Sequence, residues 1–228
     1  MKRFFSKIMR FWNEDRSLTA MLVLLLLFMF VLVPSMSLGK GGQFFVKIIY
    51  SIMLLTGVLS VAKNKKHLIL IGIFAGIGLL LNWLSKVYPT TLVLIAHDLG
   101  GVFFNLFFAF VILIKTFKKG EITIQRIEGS IVVYLLIGLM FSYLFHAVYL
   151  FAGASSFNNI FGTDLKEFLY FSLTSLTTMG YGDITPVYPL ARSLANFEAL
   201  IGQLYPAILI ARLVTMEFES SSKRKQKM

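Results

Sequence analysis

Residues 174–186 read TSLTTMGYGDITP, and within them Thr177, Thr178, Gly180, Gly182 and Asp183 gather hydroxyls, glycines and a carboxylate between two long apolar segments. Irregular backbone at membrane depth persists only where protein or a water-filled path satisfies its polar groups. Such a segment is suited to offering its carbonyl oxygens to a cation. Aiming successive carbonyls the same way requires dihedrals that alternate between right- and left-handed regions. Glycine reaches positive φ without a steric penalty, so Gly180 and Gly182 make that alternation feasible. Met179 and Tyr181 then point away from the ion path and pack against surrounding protein.

Other residues with chemistry to offer are few. His97 and Asp98 adjoin one another in an apolar run, with Asn105 two turns on, and Glu198 stands in another. Ionisable groups at that depth are functional or paired. His97-Asp98 reads either as a proton-sensing pair or as a pair bonded to neighbouring helices. Glu198 is expected to face the back of the preceding short helix near Thr174 or Ser175, with a cavity-lining carboxylate as the alternative. No nucleophile joins a His and an Asp in a convergent set, and no Gly-x-Gly-x-x-Gly follows a strand. The reading is not an enzyme and needs no cofactor.

These residues must be positioned by membrane helices. Of 228 residues, 57% are hydrophobic and 14% charged, against about 25% charged in a soluble domain. Cysteine is absent, which removes disulfides and thiolate metal sites. A spanning helix needs roughly 20 mostly apolar residues. Six runs are read as spans: Leu18–Val33, Gln43–Ala62, His67–Leu84, Thr91–Ile114, Ser130–Phe151 and Ser193–Thr215. Between the last two, Asp164–Thr177 is helix-like but too short to cross, and reads as a re-entrant helix capped by Thr163 or Asp164. The fold class is thus an all-α membrane protein with six transmembrane helices and a re-entrant segment between the fifth and sixth.

Charge placement supports that count. With the N-terminus cytoplasmic, the outer face receives only Lys40, Lys47, Lys86, Lys166 and Arg192 of the 22 Lys and Arg, as the positive-inside rule requires. Both termini are then cytoplasmic, in a multi-pass protein of the cell membrane. The net charge of +11 lies in short clusters between apolar runs, so its partner is an anionic lipid surface and not nucleic acid. The organisation follows: 1–17, an interfacial helix with Phe4, Phe5, Ile8, Met9 and Trp12 on one face; 18–114, a four-helix membrane domain; 115–129, a cytoplasmic linker; 130–215, a membrane domain of two spans around the re-entrant helix; 216–228, a basic tail. The N-terminal basic stretch and Ser35-Met36-Ser37 also imitate a signal peptide, but the apolar run is longer than such a region has.

Thr178-Met179-Gly180-Tyr181-Gly182-Asp183, after a short helix and between two spans, resembles the selectivity filter of the tetrameric potassium channels. The resemblance covers Ser130 to Thr215. It implies a homotetramer around a central axis, with potassium held by the carbonyls of Thr178, Met179, Gly180 and Tyr181 and by the Thr178 hydroxyl. This substitution of carbonyls for a hydration shell is a known example of filter physics. The resemblance also implies that Gly182 and Asp183 support the filter, that Asp183 bonds behind it, and that Tyr170 and Phe171 brace it. Generic core packing suits Tyr170 and Phe171 equally. Met179 departs from the family's usual valine. Gly202, 19 residues after Asp183, falls where the family has a gating-hinge glycine, and Pro206 removes the donor to its carbonyl.

Six spans resemble the voltage-gated subfamily, yet Thr91–Ile114 holds no Lys or Arg, so the usual arginine sensor is missing. The 13 residues Met216–Met228 are too few for a ligand-binding domain. Regulation is therefore expected through the membrane part, a separate subunit or anionic lipid. A nonselective monovalent cation channel of the same fold is the alternative function. A secondary transporter is a weaker one, because no internal repeat is evident.

Overall fold

The computed structural model describes residues 16–32, 48, 65–117, 123–162 and 164–225. Residues 1–15 of the expected interfacial helix, almost all of the second span, the cap candidate Thr163 and the end of the tail fall outside the described residues. Among the described residues, six α-helices carry the fold: α1 (Arg16–Leu27, continued by a π turn at Phe28–Leu32), α2 (Lys65–Val87), α3 (Thr91–Thr116), α4 (Ile124–Ala152), α5 (Leu165–Leu176) and α6 (Pro189–Lys225). Two short strands, β1 (Phe157–Asn158) and β2 (Thr185–Pro186), pair antiparallel, Phe157 opposite Pro186 and Asn158 opposite Thr185.

Three of these helices are long and apolar enough to cross a membrane: Thr91–Ile114, Ile124–Ala152 and Pro189–Met216. Leu18–Val31 and Gly76–Ser85 are shorter apolar stretches. α4 starts six residues before the expected Ser130, because Thr123 is extended and Ile124–Gly129 contains no proline. α6 likewise starts early, at Pro189, where a proline's fixed φ and missing N–H suit the first helical position. It then runs through Pro206 to Lys225, so part of the expected tail is helix. At 12 residues, α5 measures about 18 Å against a hydrocarbon core of about 30 Å.

Two packed regions hold α5 in place. The larger joins α1, α3 and α4 through Leu18, Met21, Leu25, Phe104, Phe108, Ile112, Leu136 and Leu139, all buried. Thr19 also donates to Glu128 Oε2 at 2.7 Å, tying α1 to α4. The second is aromatic: Phe141 and Phe145 of α4 meet Phe157, Phe168 and Phe171, with Ile184 and Ala191 closing it. Phe145 and Phe171 pack edge to face at 4.8 Å, a favoured arrangement of ring quadrupoles. This cluster clamps α5 between α4 and the start of α6.

Candidate functional site

The segment after α5 is fixed at both ends. Thr177 N–H donates to Leu173 O, Thr178 N–H to Ser175 O at 3.0 Å, and Gly180 N–H to Thr174 O at 3.2 Å. Tyr134 of α4 donates to Leu176 O at 3.2 Å. The last four carbonyls of α5, which no helical N–H can reach, thus each have a donor. Asp164 takes the extended N-cap conformation at the other end of α5, but its side chain makes no capping bond. It lies instead 3.8 Å from Lys166 Nζ.

Thr178, Gly180 and Gly182 have φ of +57°, +56° and +77°. The alternation expected of the two glycines therefore begins one step earlier, on a β-branched residue. Met179 and Tyr181 stand 63% and 65% exposed. Within one chain, the only ring stacked on Tyr181 among the described residues is Tyr170, centroids 6.4 Å apart and planes 3° from parallel.

Tyr170 and Phe171 separate in their surroundings. Tyr170 Oη donates to Asp183 Oδ2 at 2.6 Å, whereas Phe171 is buried among Phe145 and Phe157. The Tyr170 hydroxyl holds the Asp183 carboxyl below its ordinary range, and the carboxylate pushes Tyr170 up to about 12. Asp183 Oδ1 accepts from Ile184 N–H at 3.0 Å, and its backbone carbonyl accepts from Asn159 Nδ2 at 2.8 Å. Beyond it, Ser156 O receives the N–H groups of Val187 and Tyr188, and Arg192 Nε donates to Pro186 O at 3.0 Å. The outer end of the segment is thereby laced to the loop before α5.

On α6, Gly202 lies against the end of α5. A Cβ at Gly202 would stand 1.8 Å from Leu176 O, so only glycine permits this crossing. The sequence marks Gly202 as a hinge position and carries no sign of this close approach. One residue on, Gln203 Nε2 donates to Thr178 Oγ1 at 2.7 Å. Glu198 is fully buried behind α5, as expected, but its partner is Ser172 (2.5 Å to Oε1), not Thr174 or Ser175. Ser172 Oγ also reaches Gly138 O at 2.7 Å, which links α4, α5 and α6 through one hydroxyl.

His97 and Asp98 meet at 3.2 Å between Nδ1 and Oδ1. Asp98 is 1% exposed and faces a second imidazole, with His146 Nδ1 of α4 lying 2.8 Å from Oδ2, at ion-pair distance though outside hydrogen-bond angles. His146 in turn packs on Phe168 of α5, and His97 on Tyr143. Asn105 bonds within its own helix, to Gly101 O at 2.7 Å. The sequence reading missed His146, Ser172, Asn159 and Gln203. The rule that flagged His97 would have flagged His146, a histidine within the fifth apolar run.

Residues 131–219 match the model of a family described as "Ion channel". The match runs from the second turn of α4 into α6 and encloses α5 and the glycine segment, and the family is one of channels, not enzymes. Over 50 residues the chain is 44% identical to the protein LctB of Geobacillus stearothermophilus and 42% identical to that of Bacillus caldotenax. Each alignment covers 22% of this chain and 37% of the relative, so the chain spans little more than a third of the curated relatives it matches. No solved structure matches it.

Proposed function

We propose that the chain is one subunit of a potassium-selective channel, in which four copies surround a central axis and carry passive current. The observation that carries this reading is the run of positive φ at Thr178, Gly180 and Gly182, on an exposed segment behind a short buried helix. Alternating dihedrals of this kind direct successive carbonyls, from Thr178 to Tyr181, toward one side. Carbonyls replacing a hydration shell are the physical basis of potassium conduction. One chain supplies only one wall of such a path.

The need for further copies is supported by what the single chain leaves uncovered. Two-thirds of the apolar window of α4 is buried (67%), against 11% of that of α6. Leu200, Leu204, Ile208 and Val214 of α6 are at least half exposed, as are Met179 and Tyr181. Neighbouring copies packed around an axis would cover the filter's outer side and part of α6. Gly182 and Asp183 with Tyr170 would support the filter, while Gly202 and Pro206 would govern how the inner half of α6 moves. We place both termini on the cytoplasmic side, from the charge distribution, with anionic lipid as the candidate partner of the basic segments.

Native mass spectrometry of the purified full chain tests the assembly, and potassium flux from loaded liposomes tests conduction. Four copies and a potassium flux are expected. A monomer, or a sealed liposome, overturns the reading.

A further inference from the structure

We propose that Gln203 is a positioning residue for the inner end of this ion path, holding the Thr178 hydroxyl in the orientation in which it ligates a cation. The inference rests on the channel reading above.

Thr178 is held in an unusual state. A β-branched residue at φ +57° is strained, and persists only where its surroundings over-determine it. Two bonds do so: its N–H to Ser175 O, and its Oγ1 to Gln203 Nε2. The neighbouring hydroxyl is committed elsewhere, since Thr177 Oγ1 donates to Leu173 O at 2.6 Å. Of the two threonines, only Thr178 turns its hydroxyl to α6. A hydroxyl has one proton and two lone pairs. Accepting the Gln203 amide hydrogen occupies one lone pair and fixes the rotor, which leaves the second lone pair at a set angle for a cation.

The placement of Gln203 does not depend on this bond. α6 is registered against α5 by the Gly202 contact with Leu176 O, and against α4 by Tyr205, which stacks on Tyr134 and donates to Ser130 O at 2.9 Å. Gln203 is also an exposed amide between the exposed Leu200 and Leu204 in an apolar span. Polar side chains in a span face a protein interior or a water-filled cavity, which suits a position below the filter.

The test uses the full chain in planar bilayers with potassium on both sides. Barium, a divalent cation of nearly potassium's radius, is added at the side of the Lys225 end of α6. Gln203→Met keeps length and removes the donor, and Gln203→Asn keeps the amide but draws it back by one methylene. In both variants we expect barium block weakened about tenfold, the scale of one lost hydrogen bond. In a Thr178→Val background, Gln203→Met should add nothing, because the hydroxyl it held is gone. Unchanged or tighter block in a conducting Gln203→Met or Gln203→Asn channel overturns this inference alone, as does additivity with Thr178→Val. Absence of potassium current in the unmodified chain overturns the channel reading, and this inference with it.

Discussion

The Tyr170 hydroxyl donates to Asp183 Oδ2 at 2.6 Å while the Tyr170 ring lies parallel to that of Tyr181. One side chain thus touches both the tyrosine and the aspartate of the glycine segment. Bond and stack together fix the outer end of that segment against α5.

The pH dependence of this contact has a defined sign. Asp183 is depressed by the Tyr170 bond, so its contribution is complete above the unfolded value of about 3.9 and fades as pH falls through the lower folded one. Tyr170 is raised to about 12, so its contribution is complete below about 10 and fades as pH rises through the folded value. The melting-temperature gap between the unmodified protein and Tyr170→Phe should therefore be flat between about pH 5 and 9 and close in acid. Both groups are exposed, so the gap is small. A gap that varies across that plateau contradicts the assignment.

Gly202→Ala and Pro206→Ala should behave differently. The first drives a Cβ to 1.8 Å from a backbone carbonyl that cannot rotate aside, so the cost should exceed the about 1–3 kcal/mol of ordinary overpacking. Loss of the assembled protein by size-exclusion chromatography is expected. Pro206→Ala restores the helical donor to the Gly202 carbonyl. It should assemble normally and keep its ion preference, with altered open probability in single-channel records. Equal, mild effects of both would contradict the close approach.

Asp98 faces two imidazoles from different helices. Removing the shared partner by Asp98→Ala should cost about 1–3 kcal/mol, the scale of a lost buried polar partner, and His97→Ala clearly less. Thermal unfolding in detergent measures both. A larger loss for His97→Ala would place the important contact elsewhere.

α3 carries no Lys or Arg between Thr91 and Ile114. Each charge moved across 100 mV contributes only about 2.3 kcal/mol, so a steep response needs several per subunit. Open probability should change little with voltage, and a steep curve would show gating charge placed elsewhere.

The sequence was most legible where a single residue type is required by backbone geometry. Gly180 and Gly182 declared their positive φ, and α5 matched its expected bounds to within a residue. Residues whose importance comes from a partner distant in sequence were hidden. Ser172 matters because Gly138 and Glu198 converge on it, 34 and 26 residues away. Gln203 matters because Gly202 lets α6 touch Leu176, and no periodicity announces that crossing. Thr178 was chosen for its carbonyl and hydroxyl, yet its φ of +57° is invisible in a residue type that ordinarily avoids it. Helix ends were misjudged for another reason: hydropathy marks the apolar stretch, whereas α4 and α6 continue through polar residues beyond it.

On this reading, potassium selectivity resides in the Thr178–Tyr181 carbonyls. Its most direct test is the reversal potential of the purified, reconstituted chain with potassium on one side and an equal concentration of sodium on the other. A strongly displaced reversal, in the direction set by the potassium gradient, is predicted. Reversal near zero would mean equal permeability, and would contradict the account in favour of a nonselective cation channel.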